Sequence, residues 1–303
     1  MTKTVLILGG RGKIGTHSAA AFWNAGWTVR HFDRATDNMT TAAMGADVII
    51  NGLNPANYAN WAVNIPAITA QVIAAAKASG ATVIIPGNIY NFGNQPGVLS
   101  ESTPQTPHTR KGKIRVEMEQ AYRDAGVQTI ILRAGNFIDP DRNGDVMSLL
   151  ILREARKHKI AYSGSPDTMQ AYAYVPDWAR AAVKLAEMSD GLSRFEDIPF
   201  PGHGFSMTDL KAHLDRVVGH TFRLTPFPWW FMTAMSPFME VAREMREMRY
   251  LYEMDHRISA EKFDRVLPDF KPTPLCDVME AGLPVDIHPN QSVRSGRHTV
   301  AAE

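Results

Sequence analysis

Residues 4–15 read TVLILGGRGKIG, and this stretch decides the fold of the chain. Its first five residues are aliphatic or β-branched on both faces, which is typical of a buried strand in a parallel sheet. Glycines follow at positions 9, 12 and 15, and a helical pattern extends from about Lys13 to Ala25. We therefore predict a strand, a glycine-rich turn and a helix in direct succession.

The same alternation continues through the first half of the chain. Gly80 and Gly126 stand just beyond two predicted helices, a common position for glycine. Short connections between strands and helices favour a doubly wound parallel sheet of the α/β class. The further strands are predicted at 28–33, 46–51, 82–86 and 128–132, and the helices at 65–79 and from Pro107 to Gly126.

After about residue 140 the pattern is looser. We predict helices at 146–157, 176–188 and 206–218, and a strand at 222–225. Residues 226–254 are rich in Trp, Phe and Met, and we expect them to pack a smaller lobe against the sheet domain. The alternative for this aromatic segment is a hydrophobic substrate pocket or a dimer face.

Composition narrows the classes of function. The 303 residues include 32 Lys and Arg against 31 Asp and Glu, a formal charge of +1 that argues against a nucleic-acid partner. No run of about 18 apolar residues is present, so no membrane span is predicted. A strand beginning near Lys3 leaves no room for a signal peptide, and the single cysteine, Cys276, suits a reducing compartment. We expect a cytoplasmic protein.

The glycine spacing G-x-x-G-x-x-G predicts a site for a pyrophosphate. Glycine lets the chain turn sharply out of the strand, approach the phosphates and pack the helix tightly on the sheet. The start of the helix offers free N–H groups and a partial positive charge. We predict that NAD or NADP binds here. The contacts are assigned to Gly9, Arg11, Gly12, Lys13, Ile14 and Gly15.

The choice between NAD and NADP stays open in the sequence. Asp33 ends the second predicted strand, where its carboxylate could accept hydrogen bonds from the adenosine ribose and favour NAD. Arg34 and Arg11 could instead clamp a 2′-phosphate and favour NADP.

Several later segments extend the pattern: DVIING at 47–52, NIYNFG at 88–93, RAGNF at 133–137 and YVPDW at 174–178. With the glycine loop, they make the chain resemble the extended short-chain dehydrogenase/reductase superfamily, in its NAD-dependent epimerase/dehydratase branch. The resemblance implies a Rossmann domain at 1–165 with possible later returns of the chain to the sheet, a substrate lobe at 166–288 and a polar tail at 289–303. It also implies a small-molecule substrate and pairing into a homodimer through helices that flank the sheet.

Further dinucleotide contacts follow from strand ends. Gly52 and Leu53 lie in the segment that, by the resemblance, ends beside the adenine and ribose. Asn88 and Asn136 follow apolar strands, and polar groups at the carboxyl ends of parallel strands tend to face the ligand crevice. Capping of a loop is the alternative role for both asparagines.

The family's catalytic Tyr-x-x-x-Lys pair is only half present. Lys113 stands where the lysine should hold the nicotinamide ribose, but the residue four positions earlier is Thr109. Shifted alignments bring His108 or Lys111 into the motif instead. The family's serine is also missing, because the corresponding stretch reads Pro86-Gly87-Asn88.

A threonine hydroxyl cannot replace a phenol as a general acid at neutral pH, because its pKa lies far above the value of about 10 for tyrosine. We take Tyr90 as the substitute proton donor, with His108, Tyr172 or Tyr174 as alternatives. Two functions follow: an NAD(P)-dependent oxidoreductase of the epimerase/dehydratase type, acting on a carbonyl or hydroxyl of a small or sugar-like substrate, or a non-catalytic NAD(P)-binding redox sensor.

Overall fold

The computed structural model describes residues 2–55, 60–142 and 144–288, so the predicted tail at 289–303 lies outside these ranges. Six strands form a central sheet: β1 (Thr4–Leu8), β2 (Thr28–Phe32), β3 (Val48–Asn51), β4 (Thr82–Gly87), β6 (Thr129–Arg133) and β10 (Phe195–Pro199). Their order is β10–β6–β4–β3–β1–β2, and every neighbouring pair is parallel. The doubly wound α/β fold predicted from the sequence is confirmed.

Helices cover both faces of this sheet: α1 (Lys13–Asn24), α3 (Trp61–Ser79), α4 (Arg110–Ala125) and α5 (Val175–Glu187), with the short α2 (Met39–Ala43) beside α3. Alternate residues of β1 enter two separate cores. Val5 and Ile7 pack with Trp178 on the side of α1 and α5, whereas Leu6 and Leu8 lie in the core under α3 and α4. This two-sided burial explains why β1 is apolar throughout.

A lobe of smaller sheets follows. Its strands are β5 (Gly97–Leu99), β7 (Asn136–Ile138), β8 (Lys159–Tyr162), β9 (Gln170–Tyr174), β11 (His203–Phe205), β12 (Arg223–Pro226) and β13 (His256–Ile258). They pair as β11–β9–β7, β12–β8 and β13–β5. Helices α6 (Met207–Val218) and α11 (Leu275–Ala281) pack together beside them, and α10 (Glu261–Val266) contacts β10. Both α5 and β10 fall within 166–288, but they pack with the central sheet. The boundary between the two domains at residue 165 stays a prediction.

The predicted helix at 146–157 is wrong as a single element. The chain forms a π-helix at Met147–Ile151 and a separate 3-10 turn at Ala155–Lys157. The amide of Leu152 donates to the carbonyl of Met147 at 2.7 Å, which is the wider π-type turn. That turn places the buried side chains of Met147 and Leu152 against Gly282. A Cβ on Gly282 would lie 2.5 Å from the Cγ of Met147, so a side chain there would collide with it.

The aromatic segment divides into α7 (Trp229–Met235), α8 (Glu240–Glu247) and α9 (Tyr250–Glu253). Its second half packs against the sheet domain as predicted, because Met248 and Leu251 share a core with Ile89 and Phe92. The first half does not, since the indole of Trp230 stays 75% exposed. Across the described residues, every helix is too short or too polar to cross a bilayer.

Candidate functional site

The glycine loop joins β1 to α1 at the carboxyl edge of the central sheet. Gly9 has a φ of +78°, and a Cβ there would lie 2.9 Å from the carbonyl oxygen of Gly52. A Cβ on Gly15 would lie only 2.3 Å from the oxygen of Gly9. These approaches permit no side chain, so the tight turn and the close helix–strand packing predicted for this loop are both present.

The backbone at the first turn of α1 is less crowded than at Gly9 and Gly15. Gly12 is the N-cap residue in an extended conformation, and no side chain among the described residues caps the helix. A Cβ on Gly12 would have only the Gly9 oxygen within 4 Å, at 3.4 Å. The amides that open α1, those of Lys13, Ile14 and Gly15, lack an intrahelical acceptor by their position in the helix. This end of α1 therefore has the geometry of an anion site.

The side chain of Lys13 has a structural partner. Its Nζ donates to the carbonyl of Gly144 at 2.9 Å, which ties the loop after β7 to the glycine loop. Burial lowers the pKa of Lys13, although Asp145 and Asp139 act in the opposite direction. The ammonium of Lys13 is therefore engaged within the protein, whereas the side chain of Arg11 is exposed beside the helix start.

Asp33 and Arg34 are both exposed just after β2. The Asp33 carboxylate accepts the amide of Ala35 at 2.8 Å, and the amide of Asp33 donates to Asp37 at 2.8 Å. One carboxylate oxygen of Asp33 is thus engaged in shaping its own turn. The side chains of both residues reach solvent at the end of β2.

The next strand end is shaped by Asn51. Its side-chain oxygen accepts the amide of Leu53 at 3.2 Å, and its side-chain nitrogen donates to the Tyr122 hydroxyl at 3.3 Å. Gly52 passes so close to β1 that a Cβ there would lie 2.9 Å from the Leu8 oxygen. Gly52 therefore lies directly beside the glycine loop, and Leu53 follows it.

Asn88 follows β4 and forms a turn. Its side-chain oxygen accepts the amide of Tyr90 at 3.0 Å, and Tyr90 starts a 3-10 turn at Tyr90–Phe92. A Cβ on Gly112 would lie only 2.5 Å from the carbonyl oxygen of Tyr90. Only glycine fits this crossing, so Gly112 brings Tyr90 against the first turn of α4.

The start of α4 carries two of the predicted catalytic residues, Thr109 and Lys113. Thr109 is buried and caps α4 by accepting the amide of Gly112 at 3.1 Å. Lys113 ends the same first turn, where its amide donates to the carbonyl of Thr109 at 3.1 Å, and its side chain is exposed. Lys111 is completely buried instead, where its ammonium pairs with Glu244 and, at 2.7 Å, with Glu247. Of the lysines weighed in the alignment, Lys113 alone reaches solvent.

Arg133, which opens the RAGNF segment, points into the protein. Its guanidinium donates to Glu119 at 2.7 Å, to Asp197 at 2.6 Å and to the carbonyl of Asn88 at 2.6 Å. Desolvation opposes its charge, but the two carboxylates outweigh that effect and raise the pKa of Arg133. The residue thus holds β4, β6 and β10 together. Asn136, three residues later, is half-buried at the start of β7.

The sequence did not predict one cluster near the glycine loop, formed by His17, Asp139 and Asp141. The Nε2 of His17 on α1 lies 2.8 Å from Oδ1 of the buried Asp139 and 3.7 Å from the exposed Asp141. This contact joins α1 to the loop after β7, alongside Lys13 and Gly144. A separation of 122 residues between His17 and Asp139 leaves no local signal in the sequence.

Comparisons with known proteins address the architecture. No protein-family model and no curated relative matches the chain. The solved structures that resemble it include MoeE5 in complex with UDP-glucose and NAD, which is 16% identical with a TM-score of 0.71 over 96% of this chain and 99% of that chain.

Two further structures give similar values. UDP-glucuronic acid 4-epimerase from Bacillus cereus, in complex with UDP-glucuronic acid and NAD, is 15% identical with a TM-score of 0.71, covering 92% and 97% of the two chains. The Bordetella bronchiseptica enzyme WbmH, in complex with NAD+, is 13% identical with a TM-score of 0.70, covering 96% and 99%. The chain therefore has the fold of these proteins over nearly its whole described length.

Proposed function

We propose that this protein belongs to the extended short-chain dehydrogenase/reductase superfamily, binds NAD or NADP, and oxidises or reduces a hydroxyl or carbonyl of a small or sugar-like substrate. The observation that carries the proposal is the open first turn of α1, next to glycines at 9, 15 and 52 that no other residue could replace. The solved structures with this fold that hold NAD add support.

The residues present fit a dinucleotide. The amides that open α1 would bind the pyrophosphate, Asp33 or Arg34 would meet the adenosine ribose, and the loop at 52–53 would flank it. Asn88 and Asn136 follow β4 and β6 on the same edge of the sheet. When bound, the nicotinamide supplies the hydride donor or acceptor.

The chain's own contribution to the chemistry is positioning and proton transfer. Lys113 would hold the nicotinamide ribose, because its exposed side chain stands on the turn of α4 that contacts Tyr90 through Gly112. Tyr90 would donate or accept the proton at the substrate oxygen, since a phenol is the hydroxyl type that can do so here. Thr109 would not share this role, because its oxygen is engaged in capping α4.

A second candidate, a non-catalytic NAD(P) sensor, is favoured by that same cap. Thr109 stands at the position of the family's tyrosine and caps α4. Asn88 stands in the stretch where the family has its serine, and it shapes a turn. In this alternative the nucleotide would bind with its affinity dependent on redox state, and no substrate would turn over.

Homodimer formation is a separate part of the proposal. The outer faces of α3 and α4 form an apolar groove that includes Pro66, Ile73 and Ala121. Sedimentation equilibrium tests the pairing, and a monomer at every concentration measured would remove it.

The function is tested in two stages. Calorimetric titration with NADH and NADPH comes first, and absence of binding by both would overturn the proposal. Absorbance of the reduced nicotinamide is then followed against aldehydes, ketones and nucleotide sugars. Turnover supports the oxidoreductase, whereas binding without turnover supports the sensor. Lys113→Ala should weaken dinucleotide binding, with Lys184→Ala, an exposed lysine on α5, as the control.

A further inference from the structure

The first half of the aromatic segment projects from the lobe instead of packing within it. None of the seven residues of α7 is buried. Trp230 and Phe231 are exposed on this helix, and Phe238 and Met239 are exposed just beyond its end. At 83%, Phe238 is the most exposed large apolar side chain in the described part of the chain. We refer to these four residues as the α7 ridge.

The rings of the ridge share one side of the helix. Those of Trp230 and Phe231 meet edge to face, with their centroids 5.9 Å apart. The amide of Phe238 donates to the carbonyl of Met235 at 3.0 Å, so helical turns continue past the end of α7. Phe231 and Phe238 are seven residues apart, a spacing that places side chains on the same side of a helix. The ridge is therefore an apolar cluster and not a set of scattered exposed residues.

The charges of the next helix, α8, are sorted by sign. Glu244 is buried and pairs with Lys111, and Glu247 pairs with the same ammonium at 2.7 Å. Arg243 and Arg246 are exposed, and Arg243 comes no closer than 4.0 Å to Glu244. The helix thus turns two of its acids toward α4 and its arginines toward solvent.

These outward cations lie beside the ridge. The guanidinium of Arg246 donates to the hydroxyl of Ser236 at 2.6 Å, at the end of α7. Arg249 is balanced by Glu253 at 2.7 Å. Glu240 is the opposing exposed charge on α8, and the two exposed arginines of that helix outnumber it. The surface next to the apolar rings is therefore net positive.

Aromatic rings on a projecting element, with arginines beside them, suit the interface of a lipid bilayer. The rings of Trp and Phe enter the headgroup layer, and the cations are attracted to anionic lipids. A second copy of the chain fits less well, because two-fold pairing sets the same patch of both copies together and brings arginines toward arginines.

We propose that the α7 ridge and the arginines of α8 dock this protein on the surface of an anionic lipid bilayer by shallow insertion of the rings. This association is independent of the proposed function, because none of its residues takes part in the dinucleotide site.

The test is co-sedimentation of the full chain with vesicles of phosphatidylcholine alone or mixed equally with phosphatidylserine. We expect the mixed vesicles to bind about 5-fold or more tightly than the neutral ones, because exposed arginines are attracted to anionic headgroups. Arg243→Glu should remove most of this preference. Arg265→Glu, at an exposed arginine on α10, should keep it. Equal binding to both kinds of vesicle, or binding to neither, would overturn the proposal.

Two exposed tryptophans provide a matched pair for the rings. Trp230→Ala should weaken vesicle binding about 10-fold or more, whereas Trp23→Ala on α1 should stay within about 2-fold. Both side chains are more than half exposed, so neither variant is expected to unfold the chain, and circular dichroism checks this. Equal effects of the two variants would contradict docking through the ridge.

Insertion is separated from a contact between copies by two further measurements. Brominated lipid in the mixed vesicles should quench tryptophan fluorescence, and most of that quenching should be lost in Trp230→Phe. Retained quenching in this variant counts against insertion of the ridge. Sedimentation velocity without lipid should give the same species for the unmodified chain and Trp230→Ala. If Trp230→Ala instead dissociates a dimer and leaves vesicle binding unchanged, the ridge joins two copies and the membrane proposal fails.

Discussion

The side-chain oxygen of Thr109 accepts the backbone amide of Gly112 at 3.1 Å, and this bond caps the helix on which the family's catalytic tyrosine would stand. The hydroxyl is buried and oriented along the helix start. A residue that serves as an N-cap contributes to helix stability, which separates the role of Thr109 from that of the exposed Lys113 on the same helix.

Removing this cap should cost stability. Thr109→Ala is expected to lower the free energy of unfolding by about 1 kcal/mol, because the amide of Gly112 loses its acceptor. Thr109→Ser keeps the oxygen and should lose much less. Urea denaturation followed by circular dichroism measures both variants, and equal stability of Thr109→Ala and the unmodified chain would show that the cap contributes nothing.

Tyr90 is the residue on which proton transfer should depend. Tyr90→Phe is expected to lower kcat by about 100-fold or more if the phenol supplies the proton, because general acid catalysis contributes on that scale. Affinity for NADH, measured by calorimetry, should stay nearly unchanged and serves as the control. A variant that turns over at the original rate would exclude Tyr90 from the mechanism.

Two glycines of the loop should respond differently to the same change. Gly12→Ala leaves the fold nearly intact, because the added Cβ meets only the Gly9 oxygen at 3.4 Å, but it narrows the approach to the helix start. We expect at least 10-fold weaker NADH binding with a small change in Tm. Gly15→Ala forces a Cβ to 2.3 Å from the same oxygen and should destabilise the whole domain. Thermal unfolding and calorimetry separate the two, and unaltered NADH affinity in Gly12→Ala would contradict the site.

The sequence predicted the fold well where the signals were local. The apolar run before Gly9 and the glycines after α3 and α4 mark elements whose neighbours along the chain are also neighbours in space. It failed at 146–157, where the π-type turn between Met147 and Leu152 packs both side chains against Gly282, more than a hundred residues later. No periodicity within twelve residues could contain that information.

The candidate site, like the fold, was predictable only where the signal was local in the sequence. The glycine loop was predicted from its spacing, whereas the partners of Lys111 and Lys13 were not. Lys111 pairs with Glu247 across 136 residues, and Lys13 with Gly144 across 131. Burial of Lys111 could not be predicted from a helix start rich in Lys and Arg, because the carboxylates that stabilise it come from α8.

This Lys111–Glu247 contact predicts a dependence of stability on pH. Burial works to raise the pKa of Glu247, but hydrogen bonds from the ammonium and the amide of Lys111 outweigh it and hold that pKa below the usual 4.5. The folded pKa is therefore lower than the unfolded one. The stabilisation is complete above about pH 4.5 and is lost as pH falls through the folded pKa.

We expect the free energy of unfolding to fall more steeply between about pH 5 and pH 3 in the unmodified chain than in Glu247→Gln. Urea titrations at closely spaced pH values measure the slopes. Glu240→Gln is the control, because Glu240 is exposed at the start of the same helix and should follow the unmodified chain. Parallel curves for Glu247→Gln and the unmodified chain would refute the role of this contact.

The choice of nucleotide should depend on Arg34. Its exposed guanidinium follows β2, next to Asp33, one of whose carboxylate oxygens already accepts the amide of Ala35. If a 2′-phosphate binds there, Arg34→Ser removes a charge-assisted contact to it and should weaken NADPH binding by about 10-fold or more, with NADH nearly unaffected. Asp33→Asn is the companion variant: it removes repulsion of the phosphate and should strengthen NADPH relative to NADH. Calorimetry with both nucleotides gives the ratio, and equal losses of NADH and NADPH in Arg34→Ser would mean that the guanidinium does not discriminate between them.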